Sequence, residues 1–156
     1  MIQRIFYSEP RAGGQCLPGP FYNLFLSAVG RGHTRPMVGL ALNLLKLFPK
    51  LYITYMVPAA FHPIVQKDVE LFQPAEDVEL RFRLVPLGSS DIDRRDFVSQ
   101  TNSFIEELPS FLASIVPISK GNDSIQSPEG FNRAPTLAIV DVRVINQIYS
   151  SAKLLT

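Results

Sequence analysis

Two side chains far apart in the sequence carry the chemistry to be expected of this chain: His33, one of only two histidines, and Asp141. His33 follows the glycine-bearing stretch Gly30-Arg31-Gly32 that closes an apolar run at 24–29, and Asp141 closes a second apolar run at 136–140. A carboxylate that accepts a hydrogen bond from one imidazole nitrogen fixes the ring's tautomer and leaves the other nitrogen free to take a proton from a bound hydroxyl. An ordinary imidazole is mostly neutral near pH 7, as a base must be, and the carboxylate stabilises the imidazolium that forms as the hydroxyl attacks. The same residue types also cap turns and helices. The chemistry follows only if the fold brings the two together.

Hydrophobic patterning supplies elements that do so. Residues 24–29 read as a strand buried on both faces and closed by Gly30. Across 36–48 the polar positions Gly39, Asn43 and Lys46, and then Lys50, recur at helical spacing, so one narrow polar stripe runs down a mostly covered helix. Thr34 is its expected N-cap, Pro36 lies in its first turn and Pro49 stops it. Residues 51–57, rich in β-branched and aromatic side chains, read as a second strand, and 63–72 as a helix. Charge and hydrophobe alternate at 79–85, the pattern of a rim strand with one wet face. Phe97, Thr101, Phe104, Ile105, Leu108, Phe111, Leu112, Ile115 and Val116 follow helical spacing, with a kink expected at Pro109 and the three phenylalanines in the core. A polar loop at 119–133 leads to a fourth strand at 136–140, and 144–155 predicts a last amphipathic helix.

Strands alternating with helices imply an α/β fold with a Rossmann-like parallel sheet, strand order 3-2-1-4 and helices on both faces. That order makes the first and fourth strands neighbours and sets His33 and Asp141 at the switch point where such sheets bind ligands. The Pro/Gly-rich segment 1–22 is expected as an extension or loop outside the fold, and 23–156 as a Rossmann-like domain.

Composition excludes several function classes. With 46% apolar and 19% charged residues, 156 residues describe one globular domain. Fifteen basic and fourteen acidic residues, scattered, leave no electrostatic footprint for nucleic acid. Neither a signal-peptide pattern nor an apolar run of membrane-spanning length is present, so no integral membrane span is expected, and Asn122-Asp123-Ser124 reads as a polar loop. The lone Cys16 and the absence of a Cys/His cluster point to a reducing compartment, the cytoplasm, with no disulfide and no structural metal. Asp91, Asp93 and Asp96 lack the glycine and terminal glutamate of a calcium loop and read as solvated, and Gly13 and Gly14 read as flexible linker.

Gly30-Arg31-Gly32-His33-Thr34-Arg35-Pro36, followed by Met37 and Leu40-Ala41-Leu42-Asn43-Leu44-Leu45, closely resembles the opening of the UDP-dependent glycosyltransferases. The resemblance runs from Asn23 to Ile148 and takes in Thr101-Asn102-Ser103-Phe104 and the strand ending at Asp141. It implies the GT-B fold of two Rossmann-like domains, of which this chain is an incomplete first half. It further implies that His33 is the catalytic base, with Asp141 its partner. A sugar would pass from a UDP-sugar to the hydroxyl of a small hydrophobic acceptor, with inversion and no resident cofactor. Gly30, Gly32 and Thr34 at the turn, and Phe104 on the long helix, would meet the acceptor. The family's donor-binding signature contains tryptophan and a second histidine; this chain has no tryptophan, and His62 lies before Pro63 at a helix start. The expected chain is therefore a fragment that is inactive alone and meets its UDP-sugar only with a second domain or chain. A non-catalytic acceptor-binding or partner subunit of a split glycosyltransferase is the alternative. Without a fifth strand, the fourth presents an apolar edge, which predicts poor solubility or a partner. An NAD(P)-binding Rossmann protein is the structural rival, but Arg35 stands where the third glycine of that fingerprint belongs, and the second strand ends Tyr55-Met56-Val57-Pro58 without an acid for a ribose hydroxyl.

Overall fold

Apolar runs pair side by side as parallel strands, and the alternation of their side chains decides which helix covers which face. The computed structural model describes residues 3–4, 21–27, 30–115, 131 and 135–141. In chain order they form β1 (Gln3–Arg4), β2 (Phe21–Leu26), α1 (Arg31–Leu47), β3 (Leu51–Pro58), a 3-10 turn (Ala59–Phe61), α2 (His62–Leu71), the short α3 (Glu76–Glu79), β4 (Phe82–Leu87), α4 (Phe97–Ile115) and β5 (Leu137–Val140). The sheet runs β1-β5-β2-β3-β4, with β5, β2, β3 and β4 parallel to their neighbours and β1 antiparallel to β5. The four parallel strands thus have the expected 3-2-1-4 order, with β4 at the rim.

Tyr22, Leu24 and Leu26 of β2 join Met56, Leu87, Ala138 and Val140 in a core covered by Phe104 and Leu108 of α4. Phe25, Ile53, Tyr55 and Val57 belong to the opposite face, beneath Val38, Ala41, Leu42 and Leu45 of α1 and Val65 and Val69 of α2. Helices therefore cover both faces. Each fully buried side chain of this size contributes about 1.5–3 kcal/mol, and the two half-cores hold the strands in one register. Phe131, within the stretch read as a polar loop, is buried and packs edge-on to Tyr22 and Tyr52 at ring-centroid distances of 5.5 and 5.2 Å. No described helix is long and apolar enough to cross a membrane. The helix expected at 144–155 lies outside the described residues, as do Cys16, Gly13, Gly14 and Asn122-Asp123-Ser124.

Four expectations need correction. The first strand begins at Phe21 and ends at Leu26, because its ladder with β3 starts at the pair Phe21 and Leu51. Gln3 and Arg4 pair with Val140 and Ile139, so part of 1–22 joins the sheet and the outer edge of β5 is covered there. A two-residue strand is too short to show periodicity in sequence. The third strand starts at Phe82, and Arg81, placed on the wet face, is only 8% exposed. Phe97 is not core but 52% exposed, against Phe61.

Arg81 is buried because it satisfies carbonyls that the sequence orphans. Pro49 has no N–H to offer Leu45 four residues earlier, and the Arg81 Nη1 donates to the Leu45 carbonyl at 2.9 Å and also reaches Phe48 and Leu51 carbonyls at 3.1 and 3.2 Å. Its Nε and Nη2 donate to the Asp77 carbonyl and carboxylate, each at 2.9 Å. The cation also lies where the α1 dipole is negative.

At the far end of β4, Gly88 has a φ of 84° and a Cβ there would lie 2.8 Å from Ser103 Oγ and 2.9 Å from the backbone N of Phe104. The adjoining N–H groups of Gly88 and Ser89 donate to Glu107 Oε2 and Ser103 Oγ, both at 2.8 Å, which ties the strand end to α4. Gly88→Ala meets both the left-handed backbone and a backbone clash, so it lowers the unfolding free energy by about 2 kcal/mol. Urea denaturation measures this, and a loss below about 0.5 kcal/mol contradicts the close approach.

Candidate active site

Parallel pairing sets Leu26 opposite Val140, so Ser27 and Asp141 leave adjacent strands at one carboxyl edge. The Asp141 N–H donates to the Leu26 carbonyl at 3.0 Å and carries the ladder one residue beyond β5. On the other side, Gly30 adopts a φ of 124°, a conformation costly for any residue with a side chain, and the chain passes directly into α1. The N–H groups of His33 and Thr34 both donate to the Gly30 carbonyl, at 3.0 and 3.1 Å.

These two local structures bring the pair together. His33 Nδ1 lies 2.9 Å from Asp141 Oδ2, across 108 positions of sequence. A carboxylate only accepts, so Nδ1 carries the proton and donates, and the Nε2 lone pair is left bare. The Asp141 side chain is 7% exposed and that of His33 36% exposed. The carboxylate is thus largely withdrawn from water while the ring reaches it, and a charge-assisted bond in that setting is stronger than a neutral one. Among the described residues His33 makes no other side-chain hydrogen bond. The arrangement can accept one proton at Nε2 and hold the resulting cation against a buried anion.

The neighbouring positions divide. Gly30 is the N-cap of α1, and Gly32 is exposed in the first turn with open space where a side chain would stand. Thr34 is not the N-cap: the helix starts at Arg31, and Thr34 is fully buried inside it. Phe104 is fully buried in the core beneath the sheet. The structure thus places Thr34 on the inner side of α1 and Phe104 in the core, both buried. Helix periodicity misplaced the start because the glycine-rich turn carries no apolar pattern from which to count.

Two polar residues of the site escaped the sequence reading. Tyr55 of β3, fully buried, donates its hydroxyl to the Thr34 carbonyl at 3.1 Å, and the Ser27 hydroxyl hydrogen-bonds the same phenol. Burial pushes the Tyr55 hydroxyl far above the ordinary phenol range; the Ser27 bond opposes that shift, and the negative charges of Asp141 and Asp68 add to it. In the sequence they are hydroxyls near the carboxyl ends of the first two parallel strands, and the other polar side chains of those strands, Tyr22, Asn23, Tyr52 and Thr54, leave nothing that singles them out. Asp96 caps α4 by accepting the Ser99 N–H at 3.0 Å, and its bonds to Ser99 hold its carboxyl below the ordinary carboxylate range. Among the described residues no group of three His, Cys, Asp or Glu side chains is placed to hold a metal ion.

Comparison with protein-family models, with characterised proteins and with solved structures finds no match to the chain.

Proposed function

We propose that this chain is the acceptor-binding half of a UDP-sugar-dependent glycosyltransferase, with His33 as general base and Asp141 as its orienting partner. The observation that carries the reading is the 2.9 Å contact between His33 Nδ1 and Asp141 Oδ2 at the carboxyl ends of two adjacent parallel strands. The resemblance of Gly30 to Pro36 to the opening of that family supports it. In the proposed reaction a hydroxyl of a small hydrophobic acceptor hydrogen-bonds to Nε2. Its oxygen attacks the anomeric carbon from the face opposite the phosphate, the bond from that carbon to the phosphate oxygen breaks, and UDP leaves with the bonding electrons. The acceptor proton passes to Nε2, and Asp141 stabilises the imidazolium. No covalent intermediate on the protein is needed, and the configuration inverts. A second domain or chain holds the UDP-sugar, so the part assigned to the residues in hand is acceptor binding and deprotonation.

The test uses the chain by itself. Titration of 15N-labelled protein with 1-naphthol and 4-nitrophenol is expected to shift the His33 ring resonances saturably, while UDP-glucose alone leaves them in place. A His33 ring indifferent to every phenol and alcohol tried, with the protein folded, overturns the acceptor assignment. Tight binding of UDP-glucose to this chain overturns the division of labour between two domains.

A further inference from the structure

We propose that Tyr55 is the positioning residue of the His33–Asp141 pair: its hydroxyl ties the first turn of α1 to the sheet and so sets the imidazole over the carboxylate. The proposal concerns how the ring is held, and its consequence for catalysis rests on His33 being the base. His33 stands on a turn with little support of its own. Gly30 gives α1 no side-chain cap, the first turn holds no acidic residue, and Pro36 removes the N–H that would bond the Gly32 carbonyl. Such a helix end frays unless something outside it holds it.

Tyr55 supplies that restraint. Its hydroxyl donates to the Thr34 carbonyl, one residue from His33. A helical carbonyl has a second lone pair beyond the one its own ladder uses, so this bond adds to the helix and replaces nothing in it. The phenol is itself fixed. Its ring is fully buried, stacked on Phe25 at 6.1 Å and 21°, and tilted against Phe82 at 6.1 Å. The Ser27 hydroxyl holds the same oxygen, and the Ser27 N–H donates to the Met56 carbonyl, next to Tyr55 in β3. Asp141 is referenced to the same place, because its N–H bonds the carbonyl of Leu26, the neighbour of Ser27. One buried hydroxyl therefore fixes the distance between the turn that carries the base and the strand ends that carry its partner. With its proton held by burial, and by Asp141 and Asp68, it remains a donor throughout the neutral range.

Tyr55→Phe removes the hydroxyl and keeps the stacked ring. Tyr22→Phe is the matched control: it deletes another buried phenolic hydroxyl, bonded to Thr54 Oγ1 at 2.8 Å in the core under α4. Long-range 1H–15N spectra of the unliganded chain read the tautomer of His33. The expected result is that Tyr55→Phe lowers the ratio of Nδ1–H to Nε2–H forms at least threefold, whereas Tyr22→Phe leaves it within experimental error of the parent. An unchanged ratio in Tyr55→Phe overturns the proposal, and so does an equal fall in both variants, which assigns the effect to general loosening. Because no substrate is present, this outcome is separate from that of the catalytic reading, which fails instead if His33→Ala retains turnover.

Discussion

On the proposed glycosyl-transfer reading, with a donor-holding domain or chain supplied, His33→Ala lowers kcat/KM by about a thousandfold, the range in which a positioned general base operates. In that reading the loss falls on kcat, because Nε2 would take the acceptor proton only as the new bond forms. Asp141→Asn keeps the side chain's shape but removes the anion that the imidazolium faces. Its expected cost is about a hundredfold, together with a pH–rate profile of altered form. The carboxylate is nearly buried and the ring is not, so the protein surrenders hydration of the anion to obtain this contact. A purely structural role for the pair would leave turnover in His33→Ala within about threefold of the parent once unfolded protein is accounted for, and that result removes His33 from the chemistry.

Arg81→Ala is the most damaging substitution for the fold, lowering the unfolding free energy by about 3 kcal/mol and the melting temperature by about 10 °C. The value comes from the carbonyls left behind. Removing the guanidinium leaves the Leu45 carbonyl, already deprived of a helical donor by Pro49, without its bond in a buried site, and frees the C-terminal end of α1 from β3. The ion pair with Asp77 adds little, since the Asp77 carboxylate is largely exposed and well screened. Asp77→Ala therefore costs under about 1 kcal/mol. Arg81→Lys recovers about half of the loss, because a single ammonium reproduces the charge but not the planar fork. Urea titrations of the three variants check the series, and Arg81→Ala within 0.5 kcal/mol of the parent refutes it.

These two residues also mark how much was legible in the sequence. The meeting of His33 and Asp141 follows from strand order alone: alternating strands and helices, one wet strand at the rim and two apolar runs in the middle leave 3-2-1-4 as the order, and that places the two residues at one edge. Arg81 was illegible because period-two alternation treats a charged residue as a wet one. What buries it is a proline thirty-two positions earlier, a tertiary fact. Thr34 shows the same limit at shorter range. A threonine before an apolar helix signals an N-cap, but the cap falls on Gly30, with its φ of 124°, four residues sooner, and Thr34 lies buried inside the helix. Tyr55 and Ser27 were hidden for a related reason: a strand buried on both faces has no polar side, so nothing in its pattern says which hydroxyl meets which helix.

Asp141 accepts the Nδ1 proton of His33 and leaves the outer ring nitrogen bare. The 15N resonances of the His33 ring in the unliganded parent chain at neutral pH test it most directly. In the neutral ring, Nδ1 is expected to be protonated and pyrrole-like and Nε2 pyridine-like with no proton. A ring protonated at Nε2, or one that averages between the two forms like free histidine in water, contradicts it.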